Sequence, residues 1–212
     1  MPQDKDLKRL VRSRMSETGE RYTQARDQVL ARPKLTEIPA PWFMAGDRPT
    51  EYEFGLLPGT FTYDGSRVVR LRLREDADEP GGFGTMMQSV RATRYLGQRV
   101  RFGAMARAVD ATGWAGLWMR VDGPSGMVAF DNMQRRALRG TTGWTRADVV
   151  LDVPEDARSI HFGILLHAGG AADLSQLGFD VVDDAVEVTS AERLADEPQA
   201  LDFGVEPASQ PR

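Results

Sequence analysis

Period-two alternation of apolar and polar residues recurs along the middle of this chain, segment after segment, and it confines the fold to sheets that bury one face. Residues 68–73 read V-V-R-L-R-L. Residues 99–109 put Val100, Phe102, Ala104, Ala106 and Ala108 on one side and Arg99, Arg101, Met105 and Arg107 on the other. The pattern continues through residues 114–122, 128–133, 145–153, 160–167 and 177–182. Turn sequences separate these runs, among them Asp122-Gly123-Pro124-Ser125-Gly126 and Ala168-Gly169-Gly170. Many short strands joined by glycine-rich turns predict an antiparallel sandwich or barrel. A parallel α/β fold would need amphipathic helices of ten or more residues between strands, and residues 51–183 contain none.

The flanks read differently. Residues 1–34 carry nine Lys and Arg against five Asp and Glu, and they predict a basic leader of two short helices. Leu7, Leu10 and Val11 keep helical spacing, the first helix ends near Met15, and Gly19 breaks the chain before a second helix that Thr23 is expected to cap. Ala25, Val29 and Leu30 give that helix a narrow apolar stripe. Residues 35–50 are proline-rich and include Trp42 and Phe43, which predicts an extended linker packing on the sandwich through its aromatics. Residues 51–183 hold the sandwich. Residues 184–212 form an acidic tail with few large apolar residues, expected to be disordered because it cannot offset its ordering entropy.

Composition narrows the function classes. Cysteine is absent, which excludes disulfides, thiolate metal sites and a cysteine nucleophile. No apolar run is long enough to span a bilayer, and residues 1–14 lack a secretory-type apolar stretch, so the expected compartment is the cytoplasm, away from membranes. The hydrophobic fraction of 41% and the charged fraction of 27% are those of a globular domain. Arginine makes up all but three of the 27 basic residues, a bias expected from genome composition before function.

Several segments, GTMMQS at 84–89, YLGQRVRF at 95–102, GWAGLWMRVDG at 113–123, AFDNM at 129–133, GTTGW at 140–144, VLDVPEDA at 150–157 and FGILL at 162–166, together resemble a group of bacterial jelly-roll modules of unassigned activity, related in shape to galactose-binding-like and carbohydrate-binding domains. The resemblance covers residues 51–182. It implies a mainly β, antiparallel jelly-roll β-sandwich and a ligand-binding role. Members of this group are often labelled transcriptional regulators, and no catalytic residue carries over.

The most informative strand is residues 113–123, where alternation sends Leu117, Met119 and Val121 one way and Trp114, Trp118, Arg120 and Asp122 the other. With the aliphatic set in the core, the opposite face carries indoles and a guanidinium, suited to a small polar, partly apolar ligand. The alternative is that Trp114 and Trp118 fill the core. Gln88, Asp131, Asn132 and Gln134 from neighbouring strands, with His161 and His167, complete the expected ligand-binding set, and a bidentate Arg120–Asp131 pair is the expected anchor. A plain internal salt bridge is the competing reading.

His161 and His167 share a face but lie about 20 Å apart along a strand, too far to share a metal. No cluster suits a transition metal, and no cofactor is expected, with a structural calcium left open. Three functions are weighed. The first is a non-catalytic small-molecule, carbohydrate-like binding module, with the leader serving as a homodimer contact. The second is a small enzyme using His161 or His167 with Asp131 as acid and base. The third is a DNA-associated regulator whose basic leader contacts phosphates.

Overall fold

The computed structural model describes residues 8, 11–12, 14–16, 19–30, 32–38, 40–59, 62–77 and 81–190. The described residues include the helix α1 (Tyr22–Leu30), preceded by helical residues at 8, 11–12 and 14–16. Thirteen strands follow: β1 (Phe43–Gly46), β2 (Tyr52–Leu56), β3 (Thr62–Tyr63), β4 (Ser66–Arg67), β5 (Val69–Leu73), β6 (Phe83–Arg91), β7 (Gln98–Val109), β8 (Ala111–Gly123), β9 (Gly126–Asp131), β10 (Leu138–Gly140), β11 (Thr145–Val153), β12 (Ser159–His167) and β13 (Ala171–Val182).

Two antiparallel sheets face one another in a jelly-roll β-sandwich. One sheet runs β1-β6-β12-β8-β10, with β9 also pairing β8, and the other runs β11-β7-β13-β5-β2. A β3–β4 hairpin stands apart. The alternation explains the layering directly. Val100, Phe102, Ala104, Ala106 and Ala108 of β7 all face the core, as do Ala115, Leu117, Met119 and Val121 of β8. Burying each large aliphatic or aromatic side chain contributes roughly 1.5–3 kcal/mol relative to leaving it exposed. One end of the core is aromatic, with ring centroids 4.9 Å apart for Phe102–Phe162 and 4.7 Å for Phe162–Phe179.

The flanks differ in part from the sequence expectation. Gly19 turns the leader with φ of +72° and donates its N–H to the Met15 carbonyl at 2.9 Å, where the helix break was expected. Val11 and Ala25 are fully buried, and Arg14 grips Glu20 through two hydrogen bonds of 2.7 and 2.8 Å. Thr23 does not cap α1, because the helix already begins at Tyr22 and Thr23 falls within its first turn. The side chains of Val29 and Leu30 lie outside the described residues.

The proline-rich segment contributes a strand. After a cis Ala40–Pro41 bond, β1 pairs with β6 as an edge of the first sheet. Trp42 packs edge-on to Phe162 at 6.0 Å. At the other end of the chain, Thr189 exchanges hydrogen bonds with Val150, and Arg99 donates to the carbonyls of Asp184 and Val186, so residues 184–190 lie on the second sheet. The rest of the acidic tail, residues 191–212, lies outside the described residues. No helix among the described residues is long and apolar enough to cross a membrane.

Candidate functional site

The register of the first sheet determines which side chains meet on its outer face. His161 of β12 pairs with Ser89 of β6 on one side and Arg120 of β8 on the other, and Arg120 pairs onward with Phe130 of β9. Two residues along, Met87, Gly163 and Trp118 form the next row. Beyond them lie Thr85 and Leu165, and then Phe83 and His167, with Trp114 opposite His167.

Trp118 is fixed at the middle of this face. Its indole Nε1–H donates to Thr85 Oγ1 at 2.7 Å, two strands away, and Thr85 Oγ1 donates in turn to the Ile164 carbonyl at 2.7 Å. To reach Thr85 the indole must cross β12. The residue opposite Trp118 on β12 is Gly163, and a Cβ there would collide with the Met86 carbonyl. Gly163 therefore lets the β6 backbone approach β12 closely beside Trp118. Trp118 is 9% exposed and stands outside the main core cluster.

Around that indole lies a groove of about 440 Å³, within the usual range for small-molecule pockets. Its floor and walls are mostly apolar: Met87, Leu165, Phe83 and Phe130 beside Trp118. One end is polar. Arg120 Nε donates to Asp122 Oδ1 at 2.6 Å, and Asp122 Oδ2 lies 3.4 Å from His161 Nε2. His161 is held at both ring nitrogens, Nδ1 by Ser89 Oγ at 2.8 Å and Nε2 by Ser159 Oγ at 2.9 Å.

Of the residues named from sequence, the groove brings together Trp118, Arg120 and His161. The others are elsewhere. Asp131 does not anchor Arg120: it pairs with Met119 in the ladder and is 7% exposed. Its carboxylate takes two hydrogen bonds from Arg136, at 3.2 and 2.6 Å, and one from the Met133 N–H at 2.8 Å. Asn132 Oδ1 accepts the Gln134 N–H at 3.1 Å, so both side chains shape the turn into the short 3-10 segment Gln134–Arg136. Gln88 falls on the inward side of β6, two residues from the core residue Met86 and opposite the core residue Phe162.

Trp114 and His167 stack on each other, rings 6.2 Å apart and 9° from parallel, beyond the lining of the groove. The His167 Nδ1 is buried without a hydrogen-bond partner among the described residues. Neither histidine touches Asp131 through any described hydrogen bond or ion pair, so the acid–base pair expected from sequence is not assembled.

Thr85, Met87, Phe130 and Leu165 were not legible as groove residues. Their presence follows from pairing register across four strands, which no local pattern encodes. Asp122 had a local signal, since it lies two residues from Arg120 on the same face.

No family model matches the sequence. Over 167 residues, 76% of this chain, the sequence is 35% identical to the uncharacterized HTH-type transcriptional regulator YbfP of Bacillus subtilis (strain 168), and the chain spans 56% of the length of that relative. Among solved structures, the fold is similar to the enzymatically active domain of Bacteriophage CBA120 tailspike protein 4, at 14% identity and a TM-score of 0.49, covering 68% of this chain and 20% of that one. It is also similar to the C-terminal family 22 carbohydrate-binding module of Clostridium thermocellum Xyn10B, at 14% identity and a TM-score of 0.46, covering 70% of this chain and 89% of that one. A third similar structure is the carbohydrate-binding module TmCBM61, solved with β-1,4-galactotriose, at 14% identity and a TM-score of 0.43, covering 68% and 90%.

Proposed function

We propose that this protein is a non-catalytic binding module whose outer groove on the six-stranded sheet takes a small molecule with an apolar, flat body and a polar end. The observation that carries this reading is the groove itself, of about 440 Å³, built around an indole that Thr85 holds in place. A preset aromatic surface lowers the ordering cost of binding. The charged end at Arg120 supplies orientation. Both His161 nitrogens are committed to serine hydroxyls, an arrangement that serves to position the ring and the Asp122 carboxylate.

A thermal-shift and calorimetric screen of small polar and sugar-like molecules tests the reading. Ligands found in this way are expected to lose affinity in both Trp118→Ala and Arg120→Ala. Equal binding by wild type and both variants would place the site on another surface.

The name of the Bacillus subtilis relative favours a second, compatible reading, in which such a module senses a ligand within a DNA-associated regulator. In that reading the basic leader contributes phosphate contacts. A mobility-shift assay checks it: DNA retention that survives removal of residues 1–34 unchanged would exclude a role for the leader.

A further inference from the structure

The polar end of the groove is asymmetric in its hydrogen-bonding capacity, and the asymmetry bears on what it binds. Thr85 Oγ1 both accepts and donates within the protein. The two nitrogens of His161 are taken by Ser89 and Ser159. Asp122 has one oxygen on Arg120 and the other beside His161. Arg120 is different. It spends only Nε on Asp122, and its two terminal NH2 groups make no hydrogen bond to any described residue. Its side chain is 44% exposed, at the mouth of a groove that also exposes Phe130 directly across the ladder.

A guanidinium carries five N–H donors in a planar fork. With Nε tied to Asp122, the fork cannot swing freely, and the outward NH2 pair is presented in the geometry that an oxyanion accepts in bidentate fashion. The remaining side chains of the lining are apolar, apart from Thr85, whose hydroxyl is already engaged. A neutral polyhydroxylated molecule would find few side-chain partners over Met87, Leu165 and Phe83, and any hydroxyl buried against them would lose its water. A cationic head would meet Arg120 itself, with Asp122 already engaged.

We propose that the groove selects an amphipathic anion: a flat apolar body lying along Trp118, Leu165 and Phe130, with an oxyanion head of the carboxylate or sulfonate kind gripped by the terminal NH2 groups of Arg120. This rests on the groove being the binding site and names the chemistry of what enters it. Asp122 acts as a positioning residue that aims the fork and also partly offsets its charge.

Two fluorescent probes that share an apolar frame and differ by a sulfonate separate the two levels of the proposal. These are 8-anilinonaphthalene-1-sulfonate and the neutral N-phenyl-1-naphthylamine. The wild-type protein is expected to bind both, the anion about tenfold more tightly, as a charge-assisted hydrogen-bonded pair warrants. Arg120→Ala abolishes the preference for the anion, bringing it to the affinity of the neutral probe, while Trp118→Ala weakens both. Asp122→Asn keeps the shape, removes the offsetting charge and tightens the anion by a fewfold, a change in the opposite sense that loss of folding cannot mimic. Equal affinity for the two probes, or anion binding insensitive to Arg120→Ala, overturns the anion assignment while leaving the groove as a binding site. Failure of both probes to bind, or binding by both that ignores Trp118→Ala, overturns the groove and the assignment together.

Discussion

The outer faces of the two sheets are built from the same kinds of residue and end in opposite states. On the five-stranded sheet, Asp173 of β13 stands directly between Arg70 of β5 and Arg107 of β7 in the ladder, fully buried. It receives hydrogen bonds of 2.6 and 2.8 Å from Arg70 and 2.9 Å from Arg107. The Arg107 guanidinium also lies 4.6 Å from the Trp144 ring centre, and Trp144 packs on Tyr63 of the small hairpin. Further along, Arg99 bonds Asp152, and residues 184–190 cover the surface. Around Asp173 the charges of that face are matched within the protein. On the six-stranded sheet an arginine and an indole share a face as well, but only one donor of Arg120 is consumed and the apolar floor stays open. Whether charged side chains serve stability or recognition is decided by how completely their neighbours satisfy them, and residue type alone does not say.

The largest effect that tests this contrast is expected at Asp173. Burial pushes its carboxyl up, but Arg70 and Arg107 outweigh burial and hold it below the usual carboxylate range. Asp173→Ala strands two arginines with no counter-charge and should cost about 3–5 kcal/mol in denaturant unfolding. The sign of the pH dependence follows. A depressed carboxyl stabilises the fold fully above its unfolded pKa of about 4, and that stabilisation is lost as pH falls through the folded value. Acid unfolding of the wild type should therefore contain a component that Asp173→Asn lacks.

Next in size is Tyr52, which ties the two layers together at an edge, its hydroxyl 3.0 Å from the carbonyls of both Gly82 and Ala168. Burial, reinforced by Asp47 and Glu51, pushes its pKa from 10.0 up to about 12. A raised folded pKa stabilises the protein fully below the unfolded value and ceases to do so as pH climbs through the folded one. Two units correspond to on the order of 2–3 kcal/mol, lost between about pH 10 and pH 12. The melting temperature of Tyr52→Phe should fall less across that window than that of wild type.

At the groove, Trp118→Phe keeps an aromatic ring and removes the bond to Thr85, which should cost about 1 kcal/mol of stability. Probe affinity should fall as well, because the ring is no longer pinned. Smallest of all is Arg146→Ala, which breaks an exposed 3.0 Å pair with Asp148 and should change thermal stability by less than about 1 kcal/mol. A large loss there would erase the distinction between buried and exposed pairing drawn above.

How much of this was legible in the sequence depends on the range of the signal. Side-chain parity within a strand is local, and it correctly separated Leu117, Met119 and Val121 from Trp118 and Arg120, because a strand alternates with period two. Pairing between strands is not local. The expectation that Asp131 holds Arg120 failed by a single residue: the ladder puts Phe130 opposite Arg120 and Asp131 opposite Met119, which turns the carboxylate away from the groove and onto Arg136. Gln88 failed for the same reason, one position from Met87 and Ser89. Strand β1 was hidden among prolines, and β6 was masked by an even mixture of glycine, methionine and polar residues without clean alternation. Those two strands supply Thr85, Met87 and Ala45, a whole side of the groove.

The outer face of the six-stranded sheet is the surface we propose for binding. Backbone and indole nitrogen–proton NMR during titration with 8-anilinonaphthalene-1-sulfonate tests it most directly, since the Trp118 Nε1–H is a single resolved reporter at the middle of the groove. This signal and the amides of Thr85, Met87, Gly163 and Leu165 are expected to shift together along one saturable curve. Shifts confined to the exposed Met127 and Val128 edge of β9, or to the Arg107–Trp144 face, with the Trp118 indole unmoved, would contradict it.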